Sequence, residues 1–181
     1  MVSRMLTGSV AVLATLIYAF GCSPAFAQER TYEIYVCKVG RCAGYQMPLA
    51  VAEVRNLHNA QWWRDLEIEV KNISDKPIYF IRLGVLLPDT TNSPNGLGGW
   101  GVSLRYGRPA LIDIARHTES DDVPLKPGES YVFKIPENVQ GTFSKRPEAL
   151  TRRVLFRIDT INYGDGTGVV GGGAPTSRAL P

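Results

Sequence analysis

The chain has 181 residues, of which 44% are hydrophobic and 20% charged, and a formal net charge of +3 at pH 7. That length is enough for one domain with a real core and not comfortably for two. The cations are scattered, with only Lys145-Arg146 and Arg152-Arg153 adjacent, so the basic face that a nucleic-acid partner demands is absent from the pattern.

The first residues carry the layout of a secretory signal peptide. Arg4 precedes the apolar run Val10–Phe20, and Pro24-Ala25-Phe26-Ala27 puts small residues at −3 and −1 before Gln28. Cleavage after Ala27 is therefore expected, with residues 1–27 removed and the protein exported to the periplasm or the extracellular space. The run is short of the roughly 20 apolar residues that span a bilayer. An uncleaved anchor is one alternative. Lipidation at Cys22, after Ala19-Phe20-Gly21, is another, and it would tether the chain to a membrane by its lipidated cysteine.

Residues 28–45 form a polar lead-in with two cysteines, Val36-Cys37-Lys38-Val39-Gly40-Arg41-Cys42. In an oxidising compartment an even pair predicts a Cys37–Cys42 disulfide closing a tight hairpin at Gly40. A metal knuckle is the competing reading, with His58 and His117 as the further soft donors and no paired spacing between them.

Strand signals then recur. Met47–Leu57 is β-leaning. Trp62–Asn72 is read as one strand, with Leu66, Ile68 and Val70 on one face and Glu67, Glu69 and Lys71 on the other. Pro77 starts the next strand, and the apolar run Ile78–Leu87 suits a central position. Residues 89–100 read as an exposed loop. Val102, Leu104 and Tyr106 alternate again, as do Tyr131–Ile135 after a Pro-Gly turn and Val154, Phe156 and Ile158 near the end. Residues 137–151 read as irregular, with one helical turn at Pro147–Leu150, and residues 169–181 as a disordered tail. Six or seven strands with turn chemistry between them predict an all-β, antiparallel β-sandwich over residues 46–168.

Two segments carry a resemblance. Leu66–Ile78 contains Val70-Lys71-Asn72-Ile73-Ser74-Asp75-Lys76-Pro77-Ile78, and Leu125–Ser130 reads Leu-Lys-Pro-Gly-Glu-Ser. These resemble "V-x-N-x-S-x-x-P-I" and "L-x-P-G-E-S" in immunoglobulin-like modules of exported bacterial proteins, including the cell-adhesion-related type. With Gly164-Asp165-Gly166-Thr167-Gly168 closing the domain, the chain is similar to a group of uncharacterised exported bacterial proteins over roughly residues 48–168. The resemblance implies an immunoglobulin-like sandwich of about seven strands and brings no catalytic residues.

Chemistry-bearing groups are few. Adjacent Trp62 and Trp63 on a strand face opposite sides, so one ring could be exposed to stack on a sugar or anchor a partner, the favoured alternative being that neighbouring loops cover both. Trp100 and Tyr106 are the other aromatic candidates. Asp159, Asn162 and Asp165, with Thr167, could gather oxygens for calcium, but their spacing matches no established calcium loop and a Gly-Asp-Gly turn with glycines at positive φ is the favoured reading. His117 lies near Glu119, Asp121 and Asp122, which could do acid–base work or form a solvated tip. Asn72-Ile73-Ser74 is a glycosylation triplet inside a turn. No nucleophile elbow, GxGxxG or P-loop is present. The expectation is a non-catalytic binding or structural module of the bacterial envelope without a cofactor, its partner an envelope protein or polysaccharide met by loop residues 89–100 with Trp62, Trp63 and Trp100 or by an exposed edge strand through β-augmentation. A calcium-dependent protein or a hydrolase is the alternative.

Overall fold

The computed structural model describes residues 30–35, 47–87, 100–145, 153–170 and 175–177. The cleavage site, Cys22, Cys37, Cys42, loop residues 89–99 and the turn at 147–150 lie outside the described residues.

Among the described residues, nine strands make two sheets. In chain order they are β1 Thr31–Tyr35, β2 Leu49–Arg55, β3 Glu67–Asn72, β4 Phe80–Leu87, β5 Trp100–Tyr106, β6 Ser130–Lys134, β7 Arg153–Asn162, β8 Thr167–Val170 and β9 Pro175–Ser177. Two short helices, α1 Trp62–Asp65 and α2 Glu137–Ser144, and a 3₁₀ turn at Pro109–Ile112 complete them. The smaller sheet runs β2-β3-β6 and is antiparallel. The larger runs β5-β4-β7-β8-β9. The fold is an all-β sandwich. Strands β2 to β8 follow the immunoglobulin order, A-B-E in one sheet and C′-C-F-G in the other. One departure from the antiparallel expectation is β1, which pairs with the first half of β7 in parallel, so the larger sheet is mixed.

The alternating residues build the core. Ile81, Leu83, Val85 and Leu87 of β4 are fully buried and face Ile68, Val70 and Phe133 of the other sheet within one cluster. The apolar run does form a central strand, with β5 on one side and β7 on the other. On the smaller sheet the outward residues neutralise one another. Arg55 bonds Glu53, Glu67 and Glu69, and Lys134 bonds Glu67.

Asn72 explains why the two resembling segments occur together. Its buried amide donates to the carbonyls of Lys76 at 2.8 Å and Leu125 at 2.9 Å. Its Oδ1 accepts from the Ser74 N–H and hydroxyl at 3.0 and 2.7 Å. One side chain thus ties the Asn-x-Ser turn to the Pro-Gly turn, and both its polar atoms are spent inside the protein.

Three sequence expectations are corrected here. Trp62 and Trp63 belong to the helical turn α1, closed by the Leu66 N–H donating to the Trp62 carbonyl at 2.8 Å, and the strand begins only at Glu67. Helix α2 occupies a segment read as irregular. Its sequence, with Gly141 and few apolar residues, is a weak helix former, and Phe143 packing into the core holds it. Strands β8 and β9 extend the larger sheet into the stretch read as a tail.

Gly107 ends β5 with φ of +82°, and a Cβ there would lie 1.9 Å from the Tyr79 carbonyl oxygen. Gly128 has the same φ, yet a Cβ there meets nothing within 4 Å. We expect Gly107→Ala to cost at least about 2 kcal/mol and Gly128→Ala only about 1 kcal/mol, measured as paired urea unfolding curves.

Candidate functional site

The aromatic candidates do not form an exposed stacking surface at Trp62 and Trp63. Trp62 is 0% and Trp63 6% exposed, because the α1 turn directs both rings inward. They close around Phe143 of α2, Trp62 edge-on at 5.5 Å and Trp63 parallel to it at 6.2 Å between centroids. Half-buried Trp100 packs edge-on to the same ring at 4.7 Å. Arg30 seals the cluster from outside, its guanidinium 6.0 Å from the Trp62 centroid and donating to the carbonyls of Leu57 and Asn59. Half-buried Tyr106 stacks edge-on to Tyr131 at 4.7 Å and donates its hydroxyl to the Val123 carbonyl at 2.8 Å. Burial pushes its phenol up, so it stays neutral across the physiological range.

The calcium candidates are each committed to protein partners. Asp159 is the extra residue of a β-bulge, since Ile158 pairs with Leu83 and Thr160 with Arg82. Its carboxylate accepts from Arg157 at 2.5 Å and lies 3.6 Å from Arg82. Buried Asn162 donates to the carbonyls of Leu111, Asp113 and Arg116 and accepts from the Gly164 N–H at 2.6 Å. Asp165 binds Thr167 and Lys76. Burial alone would push the Asp165 carboxyl up, but these donors outweigh it and hold it below the usual range. No three potential metal ligands cluster among the described residues.

The acidic run folds around an arginine. Arg108 grips Asp122 through two parallel bonds of 3.1 and 3.0 Å and bonds Glu119 at 2.5 Å. The Glu119 N–H donates to Asp122 at 2.8 Å, closing the turn. Exposed His117 lines an open cleft of about 480 Å³ with Arg108, Arg116 and Glu119, while its backbone bridges to Asp165. Two of the three acids in this run are thereby occupied in holding the loop.

Arg108 and the Glu119 N–H hold Asp122 below the ordinary aspartate range. A depressed folded value means that its contribution is complete above the unfolded value near ~4 and lost as pH falls through the folded value. Acid unfolding curves of wild type and Asp122→Asn should therefore differ most at neutral pH and converge below about pH 4. A constant gap across the whole range would contradict this ion pair.

The exposed edge strand that the sequence reading offers as a second binding surface, without saying which strand it is, has a counterpart at the open side of the sandwich. There β5, the end strand of the larger sheet, runs beside β6, the end strand of the smaller one, without pairing. Between them is a cleft of about 370 Å³ lined by Ser103, Leu104 and Arg105 of β5, by Tyr131, Phe133 and Lys134 of β6, and by Pro136, Asn138 and Val139 beyond it. Tyr106–Tyr131 and Tyr131–Phe133 edge contacts at 4.7 and 4.9 Å stiffen one wall. Among the described residues, no strand pairs with the outer edge of β5.

The edges differ in how they resist further pairing. β2 carries a bulge between Val51 and Glu53, and β9 has three residues starting at Pro175. β6 has five residues and is followed at Ile135-Pro136 by the turn into α2. β5 has seven residues in unbroken register, Trp100↔Leu87 through Tyr106↔Ile81. It is the long, regular edge of the molecule's described part.

No protein-family model matches the chain, and the searches of curated proteins and of solved structures return no match either. The functional reading therefore rests on the geometry of this chain.

Proposed function

We propose that the domain is an exported, non-catalytic binding module of the bacterial envelope. It receives an extended segment of an envelope protein at the open side between β5 and β6. The observation that carries the reading is the juxtaposition there of an unbulged edge strand with a cleft of mixed polar and apolar lining. An extended chain added beside Gly101–Tyr106 would pair with the outer edge of β5, and every second side chain would enter the cleft. A polypeptide fits better than a polysaccharide, because the two tryptophans best suited to sugar stacking are buried.

The test is a photoreactive residue at Ser103, exposed on β5, compared with one at Lys71, exposed on the smaller sheet. In the native host, capture of one dominant envelope protein from Ser103 alone is expected. Equal capture from both positions, or capture from neither, would overturn the proposed surface.

A further inference from the structure

The two outer faces of the sandwich differ in charge. The smaller sheet's outer residues are balanced, its glutamates bound to Arg55 and Lys134. The β4–β5 end of the larger sheet's outer face is not. Cross-strand register places Arg105 of β5 directly opposite Arg82 of β4, and Ser103 opposite Gly84, which in turn faces Arg157 of β7. The acid supplied to this face by β4, β5 and β7 is Asp159.

The positive charge is under-compensated in detail as well. Asp159 is engaged by Arg157 at 2.5 Å, leaving Arg82 at 3.6 Å with its buried Nε making no hydrogen bond. Arg105 is exposed and has no hydrogen-bond or ion-pair partner among the described residues. Like charges directly opposite on a sheet repel, so the Arg82–Arg105 pair costs stability that an anion beside it would recover.

Resting on the strand-docking reading above, we infer that the segment received at β5 alternates acidic and apolar side chains. The pleat dictates the pattern. A strand added to β5 puts one set of side chains beside Ser103 and Arg105 on the outer face, where carboxylates meet the unpaired guanidinium. The other set lies beside Val102 and Leu104, on the side of the cleft that Leu104 and Phe133 line. The occupant is thus an acidic–apolar extended polypeptide.

The probes are a short capped peptide alternating valine and glutamate and its valine–lysine twin, each titrated into the isotopically labelled protein. The glutamate peptide should bind about tenfold more tightly, with amide shifts concentrated in β5 and lost at high salt. In Arg105→Glu the introduced carboxylate faces Arg82, so that variant keeps its fold and loses the preference. Equal β5 shifts from both peptides would overturn the acidic preference while leaving strand docking intact. No β5 shift from either peptide would overturn docking itself. A concentration-dependent dimer with β5 at its interface would assign the edge to a second copy and overturn the inference.

Discussion

Trp62→Ala should lower the unfolding free energy by about 3–5 kcal/mol, the range for deleting a large aromatic side chain from a packed interior. Trp62 is fully buried and touches both Trp63 and Phe143. Its loss opens a cavity that helix α2 cannot fill, because α2 has one fully buried anchor, Phe143 itself. Arg30 would at the same time lose the ring beneath it. Trp100→Ala is the control. Trp100 meets the same phenylalanine from a half-buried position, so its removal should cost roughly half as much. Urea unfolding followed by far-ultraviolet circular dichroism measures both without depending on tryptophan emission. A Trp62→Ala loss below about 1 kcal/mol would mean that this cluster does not organise the end of the sandwich.

Asn162→Ala should be comparably damaging, at about 3–5 kcal/mol, by a different route. The Asn162 amide is the hub of the loop connecting β5 to β6, donating to the carbonyls of Leu111, Asp113 and Arg116. Its Oδ1 takes the Gly164 N–H at 2.6 Å, which fixes the turn into β8. Alanine strands these backbone groups away from water, and an unsatisfied buried group costs about 1–3 kcal/mol. Asn162→Asp keeps the shape and the acceptor but replaces the donor with a charge facing carbonyl oxygens. Its carboxyl should be pushed up in the folded state. That variant is expected to recover stability on acidification and to lose it as pH rises through the raised value. Thermal melts of both variants across pH provide the check. Equal melting of Asn162→Asp and wild type at neutral pH would contradict the hub.

Much of the fold was legible because burial on one face imposes period two. Ile68 and Val70 against Glu67 and Glu69, and the apolar β4, are placed as their patterns demand. The turn chemistry was also legible, since Asn72, Gly128 and Gly164 act locally. Pattern reading failed where tertiary contacts decide. A four-residue helical turn at Trp62 and Trp63 leaves too little periodicity to separate from a strand, and α2 exists because Phe143 is packed. The candidate site was the least legible part. Arg82, Arg105 and Arg157 lie at outward positions that alternation identifies. Their convergence on one face depends on strand order, which no local pattern encodes. The same holds for β5 and β6 becoming neighbours as edges.

The claim that β5 is an open edge, ready to accept a strand, is tested most directly by amide hydrogen exchange of Trp100–Tyr106 in the isolated protein and in the captured complex. The account predicts an alternating pattern in the free protein, with amides bonded to β4 slow and the others fast. The fast set should slow on binding, while β3 is unchanged. Uniform protection along β5 before any partner is added would show the edge already covered, and would contradict the account.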